Sequence, residues 1–255
     1  MHVSNSNKTG RTRLLIFPWY AWALGLLFLG GTLGCSKISN PGPTVPTSAL
    51  CYLTVMNLAP YGSPAQIYLS GVGYTQIFPI GSFSTAYISY PAGNYTVQFK
   101  SSTADSLLSS LPTTQFDSLG YYTVILYNDS SRGTDQIAVI TDNFTSVNPA
   151  LDSAYYRFFN MAPDMPAVDL YINNVKVQGN RTPADNISNA YFNTFQPIAT
   201  GYSTFVCKQA GTNTVIGTGS LFTTLQPGAA FTVLLTETTG TSGNQFTPYL
   251  LEATQ

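Results

Sequence analysis

The sequence contains very little charge. Only 8% of its 255 residues are charged, ten of them basic and eleven acidic, whereas about 25% is usual in soluble proteins. The basic residues form no run, which excludes the positively charged surface on which nucleic-acid binding depends. Disorder is excluded as well, because apolar residues make up 44% of the chain and can sustain a packed core. We therefore predict a folded protein with an uncharged polar surface and no nucleic-acid partner.

Histidine is almost absent, because the single one, His2, lies at the N-terminus. Without an imidazole base the rest of the chain can assemble neither a Ser-His-Asp nor a Cys-His nucleophile, and zinc sites of the usual type fail for the same reason. Ser-x-x-Lys motifs, nucleophile elbows and phosphate-binding glycine loops are also missing. A hydrolase built from two carboxylates stays open as an alternative. We predict a protein that is not an enzyme and has no catalytic residue, cofactor or metal.

The N-terminal segment has the pattern of an export signal. Basic residues precede an uncharged apolar run at residues 14–33, as in secretory signals. Residues 32–36 then read TLGCS, which resembles the lipobox of bacterial lipoproteins and implies cleavage before Cys35 and lipidation of that cysteine. The usual lipobox has Leu where Thr32 stands. The alternative is an uncleaved anchor, since the apolar run is long enough to span a bilayer.

Both interpretations export the rest of the chain and attach it to a membrane. We predict a cell-envelope protein, anchored by lipid on Cys35 in the outer membrane of a Gram-negative bacterium, that faces the periplasm or the cell surface. Loss of the signal peptide, residues 1–34, removes three of the ten basic residues and leaves seven basic against eleven acidic residues, a formal net charge of −4. Residues 35–50 contain three prolines and no long apolar run, so we interpret them as a flexible tether.

The remainder of the chain contains an internal repeat. Residues 52–72 align with residues 155–175 at an offset of 103, with six of 21 positions identical. The correspondence continues with Tyr95 against Tyr202, and it resumes at residues 122–126 with an offset of 109. Because the offset grows between these segments, the second copy has longer connections, which is where insertions are tolerated. We infer a tandem duplication.

We place the first repeat at residues 51–142 and the second at residues 152–255. Both contain short runs rich in β-branched and aromatic residues, separated by turn-forming residues every 8 to 12 positions. In the first repeat the predicted strands are residues 52–58, 66–69, 75–79, 85–90, 95–100, 121–128 and 136–141. This spacing predicts an all-β protein in which each repeat is an immunoglobulin-like antiparallel β-sandwich. Residues 103–110 are the one candidate for a short helical turn.

Residues 160–174 read NMAPDMPAVDLYINN and resemble the signature of the domain-of-unknown-function family 4397. The residues that carry the resemblance are Asn160, Pro163, Asp164, Pro166, Asp169 and Tyr171. The first repeat matches less well, because Tyr61 and Gln66 stand where the two aspartates would lie. The resemblance implies an extracytoplasmic β-sandwich module, often repeated in bacterial envelope proteins, with no assigned catalytic site. We expect the signature residues to be structural.

Two further patterns are open to a functional interpretation. Asp164 and Asp169 are candidate calcium ligands, because hard cations prefer oxygen; we favour the alternative that Asp164 caps a turn and Asp169 lies at the top of the adjoining strand. Three segments beginning at Asp105, Asp117 and Asp152 resemble a bacterial O-glycosylation motif of Asp, Ser or Thr, then an aliphatic residue.

The many tyrosines suggest either sugar contacts or ordinary strand packing. Tyr61, Tyr74 and Tyr191 lie in predicted loops and are the candidate ligand contacts, because the face of an aromatic ring packs on a sugar. The alternative, which we favour, is that tyrosines fill the sandwiches and extend their hydroxyls to water. Our leading hypothesis is a non-catalytic module for adhesion, scaffolding or protein interaction. The alternative is a carbohydrate-binding accessory protein in polysaccharide capture.

Each repeat holds one cysteine, Cys51 in the first and Cys207 in the second. An oxidising compartment permits a disulfide. The two residues are not equivalent in the repeats, so a bond between them would have to link the two domains. We predict two buried thiols instead.

Overall fold

The computed structural model describes residues 49–129, 133–217, 220–239 and 245–253. The predicted signal peptide, Cys35 and almost all of the tether therefore lie outside the described residues. In the first repeat the strands are β1 (Leu50–Leu58), β2 (Ala65–Leu69), β3 (Val72–Gly73), β4 (Ser82–Phe83), β5 (Ile88–Pro91), β6 (Gly93–Ser101), β7 (Leu107–Phe116), β8 (Tyr121–Asn128) and β9 (Asp135–Thr141). In the second repeat the elements are β10 (Ser153–Asn160), β11 (Val168–Ile172), β12 (Val175–Arg181), α1 (Asp185–Ser188), a 3₁₀ helix (Ala190–Asn193), β13 (Gln196–Ala199), β14 (Gly201–Gln209), β15 (Leu221–Leu225), β16 (Ala230–Thr238) and β17 (Gln245–Ala253).

Each repeat builds two sheets. The first inner sheet has the order β4-β1-β8-β9, with β5 also paired to β1, and the first outer sheet has the order β3-β2-β6-β7. The second inner sheet is β13-β10-β16-β17, and the second outer sheet is β12-β11-β14-β15. Within the described ranges no strand of one repeat pairs with a strand of the other. The predicted all-β fold of two sandwiches is confirmed.

One pairing in each repeat is parallel rather than antiparallel. Strand β1 runs parallel to β8, and β10 runs parallel to β16. These four strands lie at the centres of the inner sheets and are buried on both faces. Their sequences are accordingly almost continuous apolar runs, as is typical of strands covered on two sides. In the outer strands, buried and more exposed residues alternate, as expected for a sheet with one solvent-exposed face, and β6 and β15 are examples.

Three apolar layers hold the four sheets together. The first lies between the inner and outer sheets of the first repeat and includes Val55, Ile67 and Val124. The second is its counterpart in the second repeat. The third lies between the two inner sheets and contains Met56, Leu58, Ile125 and Ile140 of the first repeat against Phe159, Met161, Leu234 and Leu251 of the second. The sheets therefore stack as outer, inner, inner, outer, and we call the third layer the inter-repeat interface.

The inter-repeat interface is built from equivalent positions of the two copies. Met56 and Phe159 are related by the offset of 103, and Ile125 and Leu234 by the offset of 109. A surface that packs against its own duplicate is the arrangement of a two-fold symmetric dimer. In this duplicated chain, the two repeats make with each other the kind of contact that two separate subunits make in a symmetric dimer.

One ion pair lies inside this interface. Arg157 of β10 and Asp142, which follows β9, are joined at 2.6 Å, and neither side chain is more than 1% exposed. The guanidinium also donates to Thr232 at 2.8 Å and to Thr123 at 3.1 Å. The second carboxylate oxygen of Asp142 accepts from Thr123 at 2.6 Å and from Tyr87 at 2.8 Å. Burial, reinforced by the Asp142 carboxylate, raises the pKa of Tyr87.

Aromatic rings complete the surroundings of Arg157. Its guanidinium lies 4.7 Å from the ring centre of Phe159 and 4.6 Å from that of Phe195. Phe195 in turn stacks on Phe144 of the segment that connects the repeats, at 5.3 Å between ring centres. Phe144 also contacts the edge of Tyr121 in the first repeat. The connecting segment is thus packed against both repeats.

The structure corrects two local predictions. Residues 103–110 were the candidate for a helical turn, but Leu107 begins the ten-residue strand β7. Its many Ser and Thr residues and Pro112 hid it, and they are tolerated because β7 is an edge strand that pairs only with β6. The predicted strand at residues 75–79 is wrong, since only Phe78 forms an isolated bridge there, to Ala65.

The alignment of Tyr95 with Tyr202 is also wrong, by one residue. Ile67 pairs with Phe99, and its equivalent Leu170 pairs with Cys207, so the offset in this strand is 108. Tyr202 therefore corresponds to Asn94. A shift of one residue turns a strand side chain to the opposite face, which is why Tyr95 packs against the first core while Tyr202 is exposed.

The prediction of two buried thiols is confirmed. Cys51 and Cys207 are both free and buried. Cys51 lies in the first core and Cys207 in the second. Burial raises the pKa of the Cys207 thiol to about 12, and a thiol that stays protonated is a poor nucleophile.

We expect Asp142→Ala to lower the free energy of unfolding by about 3–5 kcal/mol, because it leaves the Arg157 charge buried without its partner. The double variant Asp142→Ala with Arg157→Met should lose less than the single one, since it removes both charges. The matched control is Asp105→Ala, which breaks an ion pair to Lys100 whose aspartate is 79% exposed and should change stability by less than about 1 kcal/mol. Urea unfolding of the full-length protein measures all three, and equal losses in Asp142→Ala and Asp105→Ala would contradict the role of the buried pair.

Candidate functional site

The signature loops of the two repeats meet at the inter-repeat interface. Tyr61 and Asp164 occupy equivalent positions, 103 residues apart, and the Tyr61 hydroxyl donates a hydrogen bond to the Asp164 carboxylate. On the same side of the molecule, the Thr239 hydroxyl donates to the carbonyl of Pro60 at 3.1 Å. Tyr61 and Asp164 are partly exposed. Tyr61 and Asp164 occupy the same position of the signature but differ in residue type, and the two side chains contact each other directly.

Each signature loop is held by an equivalent polar residue at the end of a parallel central strand. The backbone N–H of Tyr61 donates to Asn128 at 3.1 Å, and the backbone N–H of Asp164 donates to Glu237 at 3.0 Å. Asn128 and Glu237 are related by the offset of 109. The two copies therefore share one scaffold for this loop, with an amide in the first repeat and a carboxyl group in the second.

Of the two carboxyl groups at this contact, Glu237 is buried, with 1% of its surface exposed, and Asp164 is partly exposed. Burial raises the pKa of its carboxyl group, and the neighbouring Asp164 raises it further, against the opposing effect of the hydrogen bonds from the Asp164 backbone and the Tyr61 hydroxyl. Two adjacent carboxyl groups can share a proton. A substrate cannot reach Glu237, so the chemistry that this cluster supports is protonation within the interface.

The calcium hypothesis required Asp164 and Asp169 to act together, and their contacts lie in different places. Asp169 accepts from the backbone N–H of Asn180 at 2.8 Å and pairs with Lys176 at 3.5 Å. Although burial alone raises the pKa of Asp169, hydrogen bonds from the backbone of Asn180 and Gly211 and the Lys176 charge hold it below its usual value. Within the described ranges no group of three or more His, Cys, Asp or Glu side chains could hold a metal ion.

The remaining signature residues differ in their surroundings, and their structural role stays a prediction. Asn160 is fully buried, donates to the carbonyl of Arg181 at 3.1 Å and accepts from the backbone of Ala162. Pro163 is partly exposed and Pro166 is exposed. Tyr171 lies on the second outer sheet, where its ring is covered by the ammonium group of Lys208.

The first repeat has the same pair of a tyrosine and a lysine. The Lys208 ammonium lies 4.3 Å from the ring centre of Tyr171, and that of Lys100 lies 4.5 Å from the ring centre of Tyr68. The duplication has kept this contact in both copies.

The three candidate tyrosines lie in three different places. Tyr61 belongs to the inter-repeat contact described above. Tyr74 lines a groove of about 400 Å³ in the first repeat, together with Gln76, Thr85 and Ser89. Tyr191 is 67% exposed on the 3₁₀ helix of the second repeat and meets Phe192 edge to face.

Sequence reasoning missed the most exposed pair of stacked aromatic rings in the described part of the chain. Tyr202 on β14 and Phe222 on β15 are 67% and 61% exposed. Their ring centres lie 6.2 Å apart and their planes differ by 18°. The signal that could have found Tyr202 was the alignment of Gly93 with Gly201, which sets the correct offset in this strand.

The three glycosylation-like segments differ in exposure. Ser106 and Ser118 are exposed in turns, whereas Ser153 is only partly exposed at the start of β10 and is followed by buried Ala154. Modification of these serines stays a prediction.

The model of a family described as a domain of unknown function, DUF4397, matches the chain twice, at residues 51–171 and 154–255. No curated protein matches the sequence.

We expect Glu237→Gln to change how stability depends on pH. Because the pKa of Glu237 is raised in the folded protein, its contribution to stability is fully present below the pKa of an unfolded Glu, about 4.3, and is lost as the pH rises through its folded pKa. The unchanged protein should therefore lose stability relative to Glu237→Gln as the pH rises above about 4.3, measured by urea unfolding at each pH. Glu252→Gln, an exposed position on β17, is the control and should leave the pH dependence in place. A Glu237→Gln profile parallel to that of the unchanged protein would refute the assignment.

Proposed function

The chain belongs to the DUF4397 family of domains of unknown function, and from this premise we propose that it is a non-catalytic, lipid-anchored scaffold of the cell envelope. Its two fused sandwiches serve adhesion or protein interaction by presenting their surfaces at a fixed distance and orientation. The observation that carries the proposal is the inter-repeat interface, because it makes one body of two domains.

The rigidity of this body follows from the composition of the interface. Domains joined by a small polar contact move relative to each other, whereas a large apolar contact suppresses such motion. Here both central strands of each inner sheet are buried on both faces, and the buried ion pair of Arg157 and Asp142 contacts the apolar layer between the sheets through Phe159. The two outer sheets lie on opposite sides of the stack, so the molecule offers two separate faces to its surroundings.

The placement of the charged side chains supports a role without catalysis. Asp142 and Arg157 join the repeats, and Asp169 is bound by two backbone N–H groups and Lys176. Arg181 and Asp185 pair at 2.6 Å beside the short helix α1. Each of these groups has a structural partner.

Carbohydrate capture is the second candidate function, and the exposed pair of Tyr202 and Phe222 favours it.

The proposed anchor predicts a lipid label on Cys35. Two or more acyl chains hold a protein stably on a bilayer, because each buried methylene contributes about 0.8 kcal/mol. The unchanged protein should partition with membranes and incorporate labelled palmitate, and Cys35→Ser should incorporate none. Cys51→Ala, which changes a buried thiol, is the control and should keep the label. An intact N-terminus with Met1 or His2 on the unchanged protein would refute the lipid anchor.

The proposed rigidity predicts a single distance between the two repeats. Val72 and Val175 are equivalent positions beside the hairpin turns of the two outer sheets, and each is 64% exposed. Spin labels on Val72→Cys and Val175→Cys should give one narrow distance distribution by pulsed electron resonance. Adding Asp142→Ala should broaden it, whereas adding Asp105→Ala should not. A broad distribution in the parent protein would mean that the repeats hinge, and this would overturn the proposed scaffold.

A further inference from the structure

The second outer sheet carries an exposed aromatic patch on the face that points away from its core. Tyr202 and Thr204 of β14 lie beside Thr224 and Phe222 of β15, in the pairs Tyr202 with Thr224 and Thr204 with Phe222. The alternate residues of β14, Ser203 and Phe205, are buried on the other face of the strand. We call Tyr202, Thr204, Phe222 and Thr224 the aromatic platform.

The rings of the platform are open to solvent. Tyr202 and Phe222 are 67% and 61% exposed, and their planes are within 18° of parallel. The largest exposed apolar patch of a soluble protein, usually a few hundred Å², is often a functional site. Strand packing explains a tyrosine whose ring is buried and whose hydroxyl reaches solvent. It does not explain two rings that are both largely exposed. The pair therefore points to a ligand.

We propose that the aromatic platform binds a segment of an uncharged polysaccharide. The face of an aromatic ring is electron-rich and attracts the C–H groups on one face of a pyranose ring. Two exposed, nearly parallel rings on neighbouring strands suit a ligand that repeats along its length. Thr204 is paired with Phe222 and Thr224 with Tyr202, so each ring has a hydroxyl-bearing neighbour that can exchange hydrogen bonds with sugar hydroxyls.

The charges on this face of the sheet indicate that the glycan is uncharged. The platform itself has no ionisable group apart from the Tyr202 phenol. Farther along the strands, Lys176 pairs with Asp169 at 3.5 Å, and the Lys208 ammonium is held over the ring of Tyr171. These charges are engaged with each other or with an aromatic face. An acidic polysaccharide would find no free cation in the described part of the platform's surroundings.

The size of the platform argues against a protein as the occupant. An aromatic side chain buries about 150–250 Å² when fully covered, so the two rings together supply about 300–500 Å². A stable protein complex buries about 800 Å² on each partner. A short stretch of a sugar chain needs no more than the platform offers.

The platform belongs to the second repeat alone. The position equivalent to Tyr202 in the first repeat is Asn94, an exposed polar residue. The duplication has kept the inter-repeat interface in both copies and has placed this aromatic pair on one outer sheet. Each chain therefore carries one such site, on one of the two opposite faces of the stack.

The platform goes beyond the proposed scaffold function, since a scaffold needs no glycan site, and it rests on the second candidate function, carbohydrate capture, to which it gives a site and a ligand class. The label on Cys35 and the distance between the repeats test the anchor and the rigidity, and they do not depend on sugar binding. Failure of one proposal therefore leaves the other standing.

The test uses the full-length protein in a detergent without a sugar headgroup, applied to an array of neutral and anionic oligosaccharides. We expect binding to at least one neutral oligosaccharide and weaker binding to its anionic counterparts. Tyr202→Ala and Phe222→Ala should each weaken that binding by about tenfold or more, which corresponds to about 1.4 kcal/mol. The conservative changes Tyr202→Phe and Phe222→Tyr should retain it, because they keep the ring.

The matched control is Val175→Ala, which trims a 64% exposed apolar side chain of the same sheet, on β12 and outside the platform, and should bind as the unchanged protein does. Thermal unfolding of each variant shows whether the fold is intact, and a loss of binding counts only in a folded variant. Three results would each overturn the proposal. The unchanged protein binds no neutral oligosaccharide, it prefers anionic oligosaccharides, or Tyr202→Ala binds as strongly as the unchanged protein does.

Discussion

The buried charge of Arg157 is the constraint on which the arrangement of the two repeats depends. An ion of this size loses several kcal/mol when it leaves water, and the loss is offset only when the charge is paired and hydrogen-bonded. Asp142, Thr123 and Thr232 supply these partners from both repeats, and Phe159 and Phe195 cover the faces of the guanidinium. No sliding of one inner sheet over the other can keep all of these contacts, so the ion pair fixes the register between the repeats.

The same ion pair favours docking of the first repeat on the second over docking of two identical repeats. Because the inter-repeat interface is made of equivalent residues, the apolar layer alone would let one second repeat dock on another. That contact would place two Arg157 side chains in one interface without Asp142, which comes from the first repeat. In the first repeat the position equivalent to Arg157 is Thr54. The asymmetric placement of one charge thus opposes the symmetric pairing that the apolar surface would allow.

The sequence predicted the duplication, the sandwiches and the buried thiols, because these depend on patterns that lie within short stretches of chain. Strand β7 escaped prediction because an edge strand needs little hydrophobic content. Tyr95 and Tyr202 were aligned with each other although they lie on opposite faces, because a strand's face depends on its register with a partner distant in the sequence, and one residue reverses it. The contact between Tyr61 and Asp164 could not be inferred from either loop alone, since it forms only when the two repeats dock.

The scarcity of charge bears on how such a molecule binds anything. Of the few ionisable side chains, Asp142, Arg157, Asp169, Arg181 and Glu237 are buried, so the surface is left largely to hydroxyl, amide and aromatic groups. Such a surface gives a partner little long-range attraction, and association is slow compared with electrostatically steered encounters. Binding must then rest on stacking and hydrogen bonds, which act only at contact. The proposed membrane anchor would offset this weakness, because it confines the protein to the layer where its partner lies and raises the effective concentration of both.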